Sequence, residues 1–338
     1  MEIQAALARV VERHDLTAED AEAVIRHVMR GEATPAQIGG LLIALRMKGE
    51  TVEELTGAVR AMRGAAVSIH PRATVVVDTC GTGGDRRGTF NISTATAFVV
   101  AGAGLTVAKH GNRAMSGTVG GADVLEALGV CIDLSPERIA ACIDEIGIGF
   151  LFAPTFHPAM KFAAGPRREL GQRTIFNLLG PLSNPAGAQH QVVGVFAPQW
   201  VEPVAHVLGR LGSVHALVVH SDDGLDEISS AAPTAVAEWY AGGVHTYRVT
   251  PDEFGLVRCN AADLAGADTA QGGARIVRDV LDGRPSPRLE TVVLNAAAAI
   301  YAGDAAPSLR DAIPIARAAI DSGKAGAKLD ELVRFTNA

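Results

Sequence analysis

The sequence predicts an α/β protein: a small N-terminal all-helical domain, plus a large α/β domain with a mostly parallel central sheet flanked by helices. Two observations predict it. Helix start and stop signals repeat through the first seventy residues. After His70 and Pro71, apolar β-type runs alternate with helical stretches, as in parallel sheets covered by helices. We therefore expect residues 1–70 to form the helical domain and residues 71–338 the α/β domain.

Three helices of the N-terminal domain are marked by capping signals. A threonine that can cap the helix start is followed three residues later by a side chain that can complete a capping box. These pairs are Thr17 with Asp20, Thr34 with Gln37, and Thr51 with Glu54. Glycines suited to helix ends follow each stretch, at Gly31, Gly49 and Gly64.

The α/β part shows five strand-like runs and five helical stretches. The predicted strands are 74–78, 105–109, 149–153, 191–196 and 215–220. The predicted helices are 93–101, 122–128, 136–145, 200–211 and 293–301. Ligands of such sheets bind beyond the carboxyl ends of the strands, so loops that directly follow strands are the candidate site.

Composition excludes several classes of function. The net charge is −7, no run of basic residues exceeds two, and aromatic residues make up 4% of the chain, so nucleic-acid binding is not favoured. None of the four cysteines forms a C-x-x-C pair, which disfavours zinc or dithiol chemistry and fits reduced thiols in the cytosol. The N-terminus lacks a signal-peptide layout, and no unbroken apolar stretch approaches the ~18 residues of a membrane span.

The stretch "DTCGTGGD" at 78–85 follows an apolar strand and predicts an anion site. Glycines let successive backbone N–H groups form a concave nest, and "NIST" at 91–94 begins a helix whose N-terminus also favours phosphate. A turn that needs glycine for its geometry alone is the alternative. The stretch matches neither a P-loop nor a dinucleotide fingerprint.

Two further loops follow strands. "KHGNRAMSG" at 109–117 gathers Lys109, His110, Asn112 and Arg113, which suit phosphate and polar groups, although a solvated loop is the alternative. "SDDGLDEISS" at 221–230 carries carboxylates that suit Mg²⁺ shared with substrate phosphates. We expect Asp226 and Glu227 to hold the metal on an exposed loop, and Asp222 and Asp223 to be surface residues.

The segment "GPRRELGQRTIFNLLGPLSNP" at 165–185 carries three arginines, Arg167, Arg168 and Arg173. An arginine here can grip a carboxylate with two parallel hydrogen bonds. For Arg168 and Arg173, an exposed helix face is at least as good an interpretation. We expect this segment to pack against the helical domain.

The order "GTGGD", "NIST", "KHGNR", "ADVLEALG", "HPAMK", "RTIFNLLGPLSNP" and "DGLDE" resembles the anthranilate phosphoribosyltransferase family, along nearly the whole chain. The resemblance implies transfer of phosphoribose from 5-phosphoribosyl-1-pyrophosphate to the amine of anthranilate, releasing pyrophosphate, in tryptophan biosynthesis. It also implies a Mg²⁺-dependent cytoplasmic enzyme that forms a homodimer through its helical domain. The pyrimidine nucleoside phosphorylases are distant relatives of the same fold.

The resemblance also implies site residues. Those implied to bind the donor are Gly81, Gly84, Asp85, Thr89, Asn91, Ile92, Ser93, Thr94, Lys109, His110, Gly111, Asn112, Arg113, Ala114, Met115, Ser116, Gly117 and Gly121. Those similar to the family's magnesium positions are Ser93, Asp226 and Glu227. Asn112 and Arg167 match contacts to anthranilate, with His110, His157 and Pro181 lining its path. No residue is assigned as a general base; Lys109, Asn112 and Arg167 are supporting groups.

One departure from the family pattern bears on donor binding. Where the family commonly has SVSSKSGSAD, this chain reads "AMSGTVGGAD" at 114–123. The lost hydroxyl and basic groups predict weaker donor binding or greater reliance on backbone N–H groups. Two other functions stay open at this point, a pyrimidine nucleoside phosphorylase and a non-catalytic paralogue that binds nucleic acid.

Overall fold

The computed structural model describes residues 1–85, 87–114 and 119–338. The helices within these residues are α1 Ile3–Val11, α2 Ala18–Met29, α3 Pro35–Lys48, α4 Val52–Gly64, α5 Ile92–Gly102, α6 Gly121–Ala127, α7 Pro136–Ile146, α8 Ala153–Phe156, α9 Lys161–Leu170, α10 Phe176–Leu179, α11 Val201–Arg210, α12 Ala270–Leu281, α13 Pro287–Ala302, α14 Leu309–Asp321 and α15 Lys324–Asn337. The strands are β1 Val76–Gly81, β2 Thr106–Gly111, β3 Ile148–Phe152, β4 His190–Gly194, β5 His215–Ser221, β6 Thr234–Tyr240 and β7 Gly243–Val249.

The predicted capping signals set the starts of α2, α3 and α4. The hydroxyls of Thr17, Thr34 and Thr51 each accept a hydrogen bond from the backbone N–H three residues later, and the last two form full capping boxes. These bonds satisfy N–H groups that have no partner inside the helix.

The sheet has the order β3-β2-β1-β4-β5-β6-β7. Strands β1 to β5 are parallel, whereas β6 and β7 continue the sheet antiparallel. The predicted fold class, with a mostly parallel sheet, is confirmed, and all five predicted strands are present; the antiparallel pair is additional. The chain order reverses between β1 and β4, which makes this point the topological switch of the sheet.

Alternating strand residues bury the two faces of the sheet against different helices. Val192 and Leu217 share a core with α5 and α13, whereas Val193 and Val218 share one with α4 and α11. That second core also includes buried side chains of α1–α3 and of the segment 163–182. Helices α1–α4 are thus continuous in packing with one sheet face, and the division of the chain at residue 70 stays a prediction.

No helix among the described residues is both long enough and apolar enough to cross a membrane.

A buried ion cluster lies at the amino-terminal edge of the sheet, opposite the strand ends that carry the candidate motifs. The His215 ring is 1% exposed and lies between the Tyr240 and Tyr301 rings, with centroid separations of 4.6 and 4.7 Å. Its Nε2 lies 2.8 Å from Glu238 Oε1 and its Nδ1 3.0 Å from Asp304 Oδ1. Only the imidazolium can donate to both carboxylates.

We expect His215→Gln to lower the free energy of unfolding by about 3 kcal/mol at pH 6, because it removes the cationic partner of the buried Glu238 carboxylate, which keeps only neutral donors, such as the Tyr301 hydroxyl, among the described contacts. Burial lowers the pKa of His215, but hydrogen bonds to Glu238 and Asp304 outweigh it and the net shift is upward from 6.5. The stabilisation is therefore complete below pH 6.5 and is lost as pH rises through the raised folded-state pKa. Urea unfolding at pH 6 and pH 9 checks this, with the half-buried His206→Gln as control; a deficit equal at both pH values would contradict it.

Candidate active site at the switch point of the sheet

The candidate site is built around the carboxyl ends of β1 and β4, at the switch point. Gly81 and Gly194 end these strands and pair with each other. The acidic loop after β5 crosses directly over them: a Cβ on Gly194 would lie 1.5 Å from the backbone oxygen of Asp226, and one on Gly81 would lie 2.5 Å from its Oδ2. Glycine at both strand ends is what lets Asp226 reach the switch point.

The glycine segment 81–85 is held against that loop. Gly83 and Gly84 both have positive φ, 63° and 72°, which side chains disfavour. The Gly83 N–H donates to Asp226 Oδ2 at 2.7 Å, and the carbonyl of Gly84 accepts a hydrogen bond from Arg173. The segment is therefore tied through both an N–H and a C=O group.

The predicted helix start is present beside this segment. Asn91 precedes α5, which begins at Ile92 and buries Thr94. The Thr79 hydroxyl donates to the Ser93 carbonyl at 3.1 Å. Thr89 forms an antiparallel bridge with Ala265, a partner that the sequence did not indicate. An eleven-residue helix opening at the sheet's switch point suits an anion.

Lys109 lies at the centre of the site. Its side chain is 5% exposed, and Nζ donates to the Thr79 carbonyl at 2.7 Å and to Ser93 Oγ at 3.2 Å. Burial lowers the pKa of Lys109, opposed by the negative charges of Asp78 and Glu227. The lysine thus fixes the Ser93 hydroxyl and supplies positive charge opposite the acidic loop.

Three carboxylates of the site, Asp85, Asp226 and Glu227, interact by charge repulsion. Burial, then repulsion from Asp85, raises the pKa of Asp226 to about 6. Burial, then repulsion from Asp226, raises the pKa of Glu227 well above its usual range, and Asp85 adds to it. Such mutual repulsion among oxygen ligands suits a hard divalent cation such as Mg²⁺, which takes few protein ligands and completes its shell with water and phosphate. Within the described ranges, no group of three or more His, Cys, Asp or Glu side chains forms a metal site by itself.

The expectation that Asp226 lies on an exposed loop is wrong: it is 9% exposed, because the loop packs on the strand-end glycines. Asp222 is exposed, as expected, and forms an ion pair with Arg248. Asp223 shapes the turn by accepting hydrogen bonds from Leu225 N–H and the Ser229 hydroxyl.

The loop after β2 is partly described. Met115, Ser116 and Gly117 lie outside the described residues. Arg113 is engaged with Asp123 and Glu126, at 2.8 and 2.5 Å. The Asn112 side-chain oxygen accepts from the Arg113 N–H at 2.8 Å, and Ala114 N–H faces Asp123.

Small residues in this loop lie against neighbours. A Cβ on Gly111 would lie 2.8 Å from the Phe150 ring, and one on Gly121 would lie 3.0 Å from Thr94 Oγ1. The Val119 carbonyl accepts from Asn91 Nδ2 at 3.4 Å. The loop therefore returns to the start of α5, close to Ser93.

A second group of predicted residues lies on the helical side. The rings of His110 and His157 are 5.0 Å apart. Burial lowers their pKa values to about 3 and about 4, so both are neutral at pH 7. Three of their ring nitrogens, His110 Nε2 and both of His157, have no hydrogen-bond partner among the described residues. The carbonyl of Pro181 accepts from Gln191 Nε2 at 3.1 Å.

Arg167 forms no salt bridge with any of the described residues. Its guanidinium lies 5.4 Å from the centroid of the Phe176 ring. Burial alone lowers its pKa. A partly buried guanidinium of this kind suits an incoming carboxylate.

Sequence reasoning missed several groups that shape the site. For Arg173, an exposed helix face is at least as good an interpretation from the sequence as a carboxylate grip. In the structure Arg173 is partly buried and donates to the Gly84 carbonyl. Asp78 is fully buried, accepting from His110 N–H at 3.1 Å and Asn184 Nδ2 at 2.8 Å, which fixes the strand that carries Lys109. An aspartate just before "TCGTGG" was the available signal.

Comparison with known proteins identifies the family. A helical bundle domain of a glycosyl transferase family matches residues 4–66, and the a/b domain of such a family matches residues 73–326. A protein of Thioalkalivibrio sulfidiphilus, an anthranilate phosphoribosyltransferase, is 55% identical over 99% of each chain. This chain belongs to the anthranilate phosphoribosyltransferase family.

Other members of the anthranilate phosphoribosyltransferase family agree. The protein of Symbiobacterium thermophilum is 56% identical over 99% of this chain and 98% of its own. The crystal structure of the Thermus thermophilus enzyme is 43% identical, with a TM-score of 0.94, covering 98% of this chain and 99% of its own. A Saccharomyces cerevisiae enzyme in complex with PRPP and Mg shares the fold at 24% identity, with a TM-score of 0.91 over 99% and 98%.

Proposed function

We propose that this protein transfers the phosphoribosyl group of 5-phosphoribosyl-1-pyrophosphate to the amine of anthranilate, a step of tryptophan biosynthesis. The observation that carries the proposal is the meeting of the glycine segment, the start of α5 and the acidic pair at one switch point. A doubly phosphorylated sugar needs two anion sites, and these elements supply them.

The donor would be held by backbone and hydroxyl groups. In the glycine segment the Gly83 N–H donates to Asp226, so the neighbouring Gly84 N–H, also at positive φ, is the group that would face the donor; the N-terminus of α5 adds a positive dipole end. Ser93, Thr94 and the loop from Lys109 complete the cradle. The Lys109 ammonium already donates to Ser93 Oγ, so we expect it to act on the donor through its positive charge rather than as a hydrogen-bond donor without a partner.

We assign Mg²⁺ to Ser93, Asp226 and Glu227, as the family resemblance implies. The repulsion between the two carboxylates, already described, supports this, as does the yeast complex with PRPP and Mg. When bound, the cation supplies positive charge that stabilises the leaving pyrophosphate.

The acceptor would bind on the helical side. As the family resemblance implies, Arg167 and Asn112 would contact the carboxylate and polar edge of anthranilate, and His110 and His157, whose rings lie 5.0 Å apart, would line its path. In the reaction the C1–O bond to pyrophosphate breaks and a C1–N bond forms. The aryl amine is neutral at pH 7 and loses its proton after attack, so no general base is required. Positioning of the two substrates lowers the free-energy barrier by about 7–11 kcal/mol in such reactions.

Two alternatives are disfavoured. A nucleoside phosphorylase shares the fold, but identity of 55% over the full length to an anthranilate enzyme favours the transferase. A nucleic-acid-binding paralogue needs a basic face, against a net charge of −7 and a clustered acidic pair.

Assembly and compartment follow the family. We propose a homodimer through the helical layer, formed by helices α1–α4, where the apolar Val11 and Met47 are 69% and 70% exposed. The four cysteines are all unpaired, which supports a reducing cytoplasm. Analytical ultracentrifugation tests the dimer; a monomer at micromolar concentration would refute it.

The decisive test follows anthranilate fluorescence. Protein, Mg²⁺, 5-phosphoribosyl-1-pyrophosphate and anthranilate are mixed, and we expect loss of fluorescence that needs all four components. Absence of loss, together with phosphorolysis of thymidine or uridine, would replace the proposal by the phosphorylase. Salt-sensitive retention on DNA without transferase activity would replace it by the paralogue.

Arg167→Ala should raise the KM for anthranilate about tenfold or more, because a charge-assisted bidentate contact is lost. The KM for the donor should stay within about twofold, a difference of under half a kcal/mol. Steady-state kinetics with each substrate varied separately measures both. Equal increases in the two constants would mean that Arg167 does not hold the carboxylate.

Gly121→Ser restores a hydroxyl that the family commonly carries. Its Cβ would lie 3.0 Å from Thr94 Oγ1, close enough to extend the hydroxyl cradle after a shift of a few tenths of an ångström. We expect the donor to bind about threefold to tenfold more tightly, the range of one added hydrogen bond. Calorimetric titration of the donor with Mg²⁺ measures this, and unchanged affinity would contradict the inferred weakness of the native loop.

A further inference from the structure

Arg173 makes three contacts that no neighbouring arginine of its segment makes. Its guanidinium donates to the Gly84 carbonyl. The same group lies 4.5 Å from the centroid of the Phe196 ring, just beyond the end of β4. Its own carbonyl accepts a hydrogen bond from Arg46 of α3. By contrast, Arg168 is exposed.

These contacts order the glycine segment 81–85, which has few side-chain contacts of its own. Gly83 and Gly84 have positive φ and no side chains to pack, so the free segment has large conformational entropy. Asp226 holds the Gly83 N–H from one side, at 2.7 Å, and Arg173 holds the next carbonyl from the other. With both groups fixed, the backbone of the segment is held in one conformation.

The hydrogen bond from Arg46 extends this chain of contacts to the helical layer. Arg46 lies in the last turn of α3, which packs against α9. A continuous path of two hydrogen bonds thus joins α3, Arg173 and the glycine segment.

We propose that Arg173 is a positioning residue that fixes the glycine segment 81–85 as the pyrophosphate cradle and, through Arg46, ties that cradle to the helical layer. The proposal rests on the proposed function for the identity of the anion. It assigns Arg173 no contact with either substrate.

The test compares Arg173→Ala, Arg173→Lys and Arg46→Ala with the native protein, and Arg168→Ala is the matched control. Binding of 5-phosphoribosyl-1-pyrophosphate with Mg²⁺ is measured by calorimetry, and steady-state kinetics gives the KM for each substrate. Hydrogen exchange of the 81–85 amides reports the order of the segment directly.

For Arg173→Ala we expect donor affinity to fall about tenfold to hundredfold, as for loss of one hydrogen bond from a charged donor. The KM for anthranilate should change by less than about twofold, and amide exchange in 81–85 should speed up. Arg173→Lys should recover part of the affinity, Arg46→Ala should show a smaller loss in the same direction, and Arg168→Ala should match the native protein.

Unchanged donor affinity and unchanged amide exchange in Arg173→Ala would overturn the proposal, as would equal losses for both substrates. If Arg173→Ala does not fold, Arg173→Lys and Arg46→Ala decide by the same measurements. A native protein that binds no donor would refute the proposed function instead, so the two failures are distinct.

Discussion

Gly194→Ala is expected to abolish most of the transferase activity, by about a hundredfold or more, since misplacing reacting groups by 1 Å can have that effect. A Cβ at this position would lie 1.5 Å from the Asp226 backbone oxygen and 2.4 Å from its carbonyl carbon. Both neighbours are backbone atoms of a packed loop, so no side-chain rotation relieves the overlap. The acidic loop must move away from the switch point, carrying Asp226 and Glu227 with it.

The same substitution should lower the free energy of unfolding by about 1–3 kcal/mol, the usual effect of overpacking. Urea unfolding and the fluorescence assay measure the two effects. Gly39→Ala is the control, because a Cβ there meets nothing within 4 Å and alanine favours the helix. Native activity in Gly194→Ala would show that the position of the acidic loop does not matter.

Asp226→Asn combined with Glu227→Gln should lower activity by about a hundredfold or more at limiting Mg²⁺, because electrostatic groups of this kind contribute on that scale. The metal-free protein should be as stable as the native protein or more so. The folded-state pKa of Asp226, about 6, lies above its ordinary value of 3.8. The folded state therefore binds more protons between these values, and stability falls as pH rises through them.

Above pH 6 the ionised Asp226 destabilises the metal-free fold by about 3 kcal/mol, at 1.36 kcal/mol per pKa unit. The neutral amides of the double variant remove part of this destabilisation. The gain in the free energy of unfolding should therefore be larger at pH 8 than at pH 4. Urea unfolding at both pH values, without and with Mg²⁺, measures it. Loss of both activity and stability would indicate a structural pair, and unchanged Mg²⁺ dependence of activity would refute the metal assignment.

Much of the fold could be read from the sequence because local signals agreed with tertiary packing. The helix starts at Thr17, Thr34 and Thr51 depend on hydrogen bonds within four residues, so the sequence alone determines them. The five parallel strands are buried on both faces and appear as continuous apolar runs.

The missed elements lack such local signals. Strand β7 buries only its last residue, Val249, so it presents no apolar run. Helix α12 contains Gly272 and Gly273, and α14 contains Pro314, residues that weaken helix propensity. Packing against neighbouring elements decides these segments.

In the candidate site, too, features with local sequence signals were predicted, and features that depend on tertiary packing were not. Motifs that follow strands were predicted to meet because parallel strands end at one edge of the sheet. The burial of Asp226 could not be predicted, because it depends on the absent side chains of two strand-end glycines far away in sequence. The bond from Arg173 to Gly84, which spans 89 residues, likewise exists only after the loops are assembled.

The most direct test of the central claim is a crystal structure with 5-phosphoribosyl-1-pyrophosphate, Mg²⁺ and a non-reactive anthranilate analogue. We predict pyrophosphate density between the glycine segment and the start of α5, with the cation on Asp226 and Glu227 and the analogue beside Arg167. Donor density away from the ends of β1 and β4, or a cation that contacts neither carboxylate, would contradict the account.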